Sequence, residues 1–159
     1  MQLFVMRHGA AAPYDYTANT VVDEQRPLTV YGRAETTNIA TWLNSVVSSV
    51  DLILVSPFTR AQQTAEIMAQ HLSNAAMQTS ILLIPEASAV DFHHYLDGLL
   101  HTTQLDKILL VSHMPLVSYL VAELTAEQQT PIFQTAAIAE LNYDQHKMQG
   151  QLMHIQAPS

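Results

Sequence analysis

Cysteine is absent from the 159 residues, which removes disulfide scaffolds, Cys-ligated zinc and thiol catalysis and fits a reducing compartment. Cations are scarce: six Lys and Arg stand against fourteen Asp and Glu, for a formal net charge of −8. So few cations cannot build the basic surface that neutralises many phosphates, and no nucleic-acid partner is expected. No run reaches the 18 or so apolar residues of a membrane span. The opening MQLFVM is apolar, but it is too short for a signal peptide, lacks a basic start and runs straight into Arg7. What is present is a core-forming composition, 48% hydrophobic with mean hydropathy +0.10, which excludes intrinsic disorder. The expectation is one cytoplasmic domain spanning residues 1–159.

Apolar runs alternate with helical patterns along the chain. Leu3 to Met6, Leu52 to Val55 and Lys107 to Val111 read as buried strands, and Ile81 to Ile84, closed by Pro85, as a further one. Ala10 to Glu24 reads as a long loop. Thr29 is the candidate N-cap of a helix that carries Ala40, Leu43 and Val47. Ser56-Pro57 reads as another helix start, a capping hydroxyl followed by proline at the first helical position. Ala87 to His101 and the segment after Pro115 complete the helical patterns, and Ala136 to Leu141 with Gln151 to Ile155 reads as a closing hairpin. Strand–helix alternation followed by a late hairpin predicts an α/β sandwich, mostly parallel with an antiparallel edge.

In open parallel sheets, ligands bind beyond the carboxyl ends of the strands. Those ends carry Arg7 and His8 in the first strand, Ser56 with Arg60 one turn further in the second, and Ser112 and His113 in the last long one. Arginine's planar fork holds two phosphoryl oxygens at once. A neutral imidazole attacks phosphorus, and a protonated one donates to the transferring oxygens. Two His and two or three Arg therefore make a sufficient kit for metal-free phosphoryl transfer, against the plainer reading of both histidines as ordinary loop residues. His93, Asp97 and His101 fall at helical spacing, but no further ligand is in register, so they are expected on a solvated helix face.

Arg7-His8-Gly9 after a strand is followed by Arg26-Pro27-Leu28-Thr29-Val30-Tyr31-Gly32. Ser56-Pro57-Phe58-Thr59-Arg60-Ala61-Gln62-Gln63-Thr64-Ala65 and Val111-Ser112-His113 come next. This four-part set, in this order, resembles the histidine phosphatase (phosphoglycerate mutase-like) superfamily. Within it, the short chain and Ser112-His113-Met114-Pro115-Leu116-Val117 resemble the SixA-type phosphohistidine phosphatases. The resemblance implies a three-layer α/β/α sandwich and a metal-independent phosphoric hydrolase that uses no cofactor. It implies His8 as the nucleophile, forming a transient phosphohistidine. Arg7, Arg60 and His113 would bind the phosphoryl group, Arg26 would lie beside it, and Gly9 would stand where a side chain would crowd the phosphate. Glu86 sits where the family's acidic proton donor falls, with Asp23 and Glu24 as alternatives. Ala10 and Ala11 depart from the family, many of whose members carry a polar residue just after the RHG triplet. No large insertion separates Arg60 from His113, and only the Ala10–Gln25 loop is a candidate lid. An uncovered pocket favours a phosphohistidine presented by another protein, a phosphotransfer or signalling component, and the enzyme is expected to be a monomer. The alternatives are a small-molecule phosphomonoesterase and a non-catalytic phosphohistidine-binding module.

Overall fold

The computed structural model describes residues 1–14, 22–73 and 75–159. In chain order the elements are β1 (Gln2–Arg7), α1 (Val30–Val46), β2 (Leu52–Val55), α2 (Thr59–His71), β3 (Ala76–Thr79), α3 (Ala89–Thr102), β4 (Lys107–Ser112), α4 (Leu116–Leu124), β5 (Ile138–Asp144) and β6 (Gln149–Gln156). One six-stranded sheet runs β3-β2-β4-β1-β5-β6. The first four strands in that order are parallel, and antiparallel pairing is confined to the side where β5 joins β1 and β6 joins β5. This is the expected α/β class.

Successive side chains of a strand point to opposite faces, and here both faces are apolar. Leu3, Val5, Leu54 and Leu110 pack with Phe92 and Leu96 of α3 and Val117 and Leu120 of α4. Phe4, Met6, Ile53 and Val55 pack with Ile39 and Leu43 of α1 and Ala61 and Met68 of α2. Two helices on each face give three layers, which explains why β1, β2 and β4 read as unbroken apolar runs rather than alternating ones. Among the described residues no helix is long and apolar enough to cross a membrane.

Local chemistry sets the boundaries. Thr29 caps α1, its hydroxyl accepting from the Gly32 amide at 2.9 Å, and Ser88 caps α3 by accepting from the Asp91 amide at 3.2 Å. Three expectations are corrected. Ser56 does not cap α2: its amide donates to the Val111 carbonyl, keeping it in line with the sheet, and the helix opens at Thr59. The strand expected at Ile81 to Ile84 is a single 3-10 turn, Ile81–Leu83, in which Leu83 is buried and Ile81 exposed. The strand lies just before it at Ala76–Thr79, whose four side chains are all exposed at the sheet edge. His93 and Asp97 do not lie on a solvated face. Both are buried, with His93 Nδ1 2.6 Å from Glu123 of α4, Nε2 2.7 Å from the Tyr143 hydroxyl of β5, and that hydroxyl donating to Asp97 Oδ1 at 2.5 Å. Among the described residues no cluster of His, Cys, Asp and Glu could hold a metal ion. Residues 15–21 of the Ala10–Gln25 loop lie outside the described residues.

Candidate active site

The three central parallel strands stop at one level. Arg7 is in register with Ser112, and Val55 with Val111. Past those pairs, the His8 amide donates to the Ser112 carbonyl at 3.0 Å and the Ser56 amide to the Val111 carbonyl at 3.1 Å. His8, Ser56 and His113 therefore leave the sheet side by side. Arg60, four residues after Ser56 in the first turn of α2, joins them, and all four are buried. The two imidazoles meet edge to face with centroids 5.1 Å apart, and the Phe58 ring packs on His113 at the same distance. Arg7, His8, Arg26, Arg60 and His113 line one cavity of about 310 Å³, together with Ala10, Ala11, Met114 and Thr135. A wider depression of about 690 Å³ beside the β5–β6 turn gathers no comparable set of arginines and histidines.

Hydrogen bonding orients the His8 ring. Nδ1 lies 2.6 Å from the Gly9 carbonyl, and a carbonyl only accepts, so Nδ1 carries the proton and Nε2 the lone pair. Arg60 Nε donates to that Nε2 at 3.3 Å. Burial first, and then the charges of Arg60, Arg7 and Arg26, push the His8 pKa down to about 4, against the opposing Gly9 hydrogen bond. His113 is pushed further, to about 2, by burial, then by His8 and the same guanidinium groups. Both rings are neutral near pH 7. Arg7 and Arg60 are held below their usual value by burial, opposed by Glu35 at Arg7 and by Asp23 at Arg60, but guanidinium remains charged.

The cations arrive already organised. Arg7 Nη1 donates to the Phe133 carbonyl at 2.8 Å, while buried Arg7 Nε and His113 Nδ1 have no protein partner among the described residues. Arg26 Nε donates to Asp23 Oδ1 and Nη1 to the Ala12 carbonyl, each at 2.8 Å. Arg60 Nη1 donates to the Asp23 carbonyl at 2.7 Å and Nη2 to Asp23 Oδ2 at 3.4 Å. Asp23 thus ties Arg26 to Arg60. Burial would raise its pKa, but the Arg26 hydrogen bond and the Arg60 charge outweigh it and keep the carboxylate ionised, which makes it a poor proton donor. Glu24 is exposed. Glu86 is exposed in the turn after the 3-10 segment and does not line the cavity.

A Cβ at Gly9 would come within 2.6 Å of the Gly32 carbonyl oxygen and of Thr36 Oγ1, so α1 itself excludes a side chain at this position. Residues outside the expected set hold this loop. Glu35, buried in α1, accepts from the Ala10 amide at 3.0 Å and from the Thr135 hydroxyl at 2.9 and 2.8 Å. Thr64 accepts from the Gly9 amide at 3.1 Å and donates to the Arg60 carbonyl at 2.8 Å. The available signal was spacing: Glu35 and Thr36 interrupt the apolar stripe that Gly32, Ile39, Ala40 and Leu43 form on α1.

A uniformly buried pair of neutral imidazoles among three guanidinium groups suits one tetrahedral oxyanion. Comparisons with known proteins point the same way. The description of the histidine phosphatase superfamily (branch 1) matches residues 3–83. The phosphohistidine phosphatase SixA of Escherichia coli (strain K12) is 37% identical over 149 residues, covering 91% of this chain and 87% of its own. The phosphohistidine phosphatase SixA homolog of Haemophilus influenzae (strain ATCC 51907 / DSM 11121 / KW20 / Rd) is 35% identical over 171 aligned positions, covering 99% and 97%. A solved structure of the protein histidine phosphatase SixA complexed with tungstate superposes with a TM-score of 0.89 at 35% identity, covering 99% of this chain and 97% of that one.

Proposed function

The chain belongs to the histidine phosphatase superfamily, and from that premise we propose that it hydrolyses a phosphohistidine carried on another protein. The observation that carries the reading is the His8 ring, whose proton is held by the Gly9 carbonyl and whose lone pair faces the arginines. Nε2 of His8 attacks the phosphorus in line, the P–N bond to the substrate imidazole breaks, and the phosphoryl group rests on His8. Water then attacks the phospho-His8, returning the Nε2 lone pair and releasing inorganic phosphate. Arg7, Arg60 and His113 donate to the equatorial oxygens as their charge is redistributed, and Arg26 adds positive potential at the rim. No metal or other cofactor enters these steps.

The leaving imidazole needs little protonation compared with an alkoxide, which suits a cavity that no carboxylic acid lines among the described residues. Glu86 as proton donor would have to reach the cavity from its exposed turn. Glu86→Gln tests that role: a donor's loss slows phosphate-ester hydrolysis far more than phosphohistidine hydrolysis. The enzyme is proposed to act as a cytoplasmic, single-domain monomer, with the substrate's phosphohistidine reaching into the cavity from outside. The decisive experiment incubates the protein with a ³²P-labelled phosphohistidine protein and quenches rapidly. An acid-labile, alkali-stable phosphoenzyme that His8→Asn abolishes is expected. Full turnover by His8→Asn would overturn the reading.

A further inference from the structure

Ser56 sits at the carboxyl end of β2 and is fully buried. Its Oγ accepts from the Phe58 amide at 3.2 Å and lies 2.8 Å from His113 Nε2. His113 is equally enclosed, and its other nitrogen, Nδ1, has no protein partner among the described residues. A hydroxyl has one proton to give and two lone pairs to receive with. The Phe58 amide uses one lone pair, which leaves two arrangements for the Ser56–His113 contact. In one, the hydroxyl donates to a bare Nε2, and the ring proton is on Nδ1. In the other, a protonated Nε2 donates to the hydroxyl, whose own proton then has no acceptor among the described residues, at a side chain fully buried from solvent.

We propose that Ser56 is a positioning residue that fixes His113 as the Nδ1–H tautomer, making Nδ1–H the donor this ring offers to a phosphoryl oxygen. The inference rests on the phosphoryl-transfer reading above and deepens it. A tautomer is a meaningful choice here because the ring is neutral: burial, then His8 and the arginines, disfavour its imidazolium. With Nε2 occupied by Ser56, Nδ1 is the one ring nitrogen left for a ligand. Were the tautomer reversed, a lone pair would be offered to an anion. The relay therefore runs in one direction, from the Phe58 amide to Ser56 Oγ, from the Ser56 hydroxyl to His113 Nε2, and from His113 Nδ1 outward. Its geometry is braced twice. Gln62 Nε2 donates to the Ser56 carbonyl at 2.8 Å and to Thr79 Oγ1 at 3.1 Å, and Phe58, which supplies the amide, also packs its ring on His113.

The first measurement needs no variant. Long-range ¹H–¹⁵N correlation spectra of the protein at pH 7 should show His113 protonated at Nδ1 and bare at Nε2, and the opposite pattern overturns the proposal. In Ser56→Ala the His113 signals should shift toward mixed tautomers. The kcat on a phosphohistidine protein should fall about 10- to 100-fold, the range seen when the partner that orients a working histidine is lost, with KM changed less than about threefold. Ser56→Thr should restore both. An unchanged tautomer together with an unchanged kcat in Ser56→Ala also overturns it, and if neither variant folds the wild-type spectrum decides alone. Failure to trap any phosphoenzyme in the wild type would instead sink the underlying reaction, so the two failures are told apart.

Discussion

At the residue scale, the chemistry depends on which nitrogen carries which proton. Replacing His8 by Ala removes the lone pair proposed to attack phosphorus, and turnover of a phosphohistidine protein is expected to fall at least about 10³-fold in steady-state assays. Because burial and three guanidinium groups hold the His8 pKa near 4, its ring stays neutral through pH 5. Titration by NMR should show no His8 inflection between pH 8 and pH 5, where an ordinary histidine titrates at about 6.5. An inflection near 6.5 would contradict the closed cationic setting. Asp23 offers a second test, since its carboxylate occupies donors of Arg26 and Arg60 that a phosphoryl group would also use. Removing that charge with Asp23→Asn should tighten competitive inhibition by inorganic phosphate, by about 3- to 10-fold given that the carboxylate is half-exposed and screened. Weaker inhibition would mean that Asp23 chiefly aligns the arginines rather than competing for them.

At the element scale, α1 braces the loop that carries His8, the proposed nucleophile. The two meet with almost no clearance: a Cβ at Gly32 would fall 2.0 Å from the Ala10 carbonyl oxygen, a backbone atom that cannot step aside. Gly32→Ala should therefore cost about 3 kcal/mol in urea denaturation, at the upper end for overpacking, and should depress activity by displacing His8. Much of this architecture was legible beforehand. Leu3 to Met6, Leu52 to Val55 and Lys107 to Val111 announce strands because both of their faces are buried, and Thr29 announces a helix because its hydroxyl caps it. The edge strand Ala76–Thr79 was not legible, because four exposed side chains carry no burial pattern and the apolar Ile81 to Leu83 beside it resembles a strand more closely. In the candidate site, Arg7, His8, Arg60 and His113, singled out from their places at or just past strand ends, line one cavity. Glu35, Thr64 and the Ser56 contact were not legible, because which polar side chain answers which backbone amide depends on packing between α1, α2 and the strand ends.

At the scale of the whole molecule, the buried histidines link stability to acidity. The folded His8 has a pKa of about 4, below the unfolded value of about 6.5, so between those values the unfolded chain binds more protons. Stability is complete above pH 6.5 and is lost as pH falls toward 4, by a few kcal/mol from this group alone, with His113 acting in the same direction. Urea midpoints measured from pH 7.5 to 4 should fall across that interval, and His8→Asn should flatten part of the slope. The net charge of −8 acts at longer range. An acidic phosphoprotein would meet repulsion on approach, so moderate salt should raise kcat/KM by screening it, up to the point where the arginine clamp itself is weakened. The groups proposed to act on the phosphoryl group lie at positions 7, 8, 60 and 113 of the polypeptide, at or just past the ends of strands that are neighbours in space or in the first turn of α2. A ribosome-bound chain thus stays inert until β4 has emerged and slotted between β1 and β2, and the enzyme gains its first turnover only after the middle of its own sheet has closed.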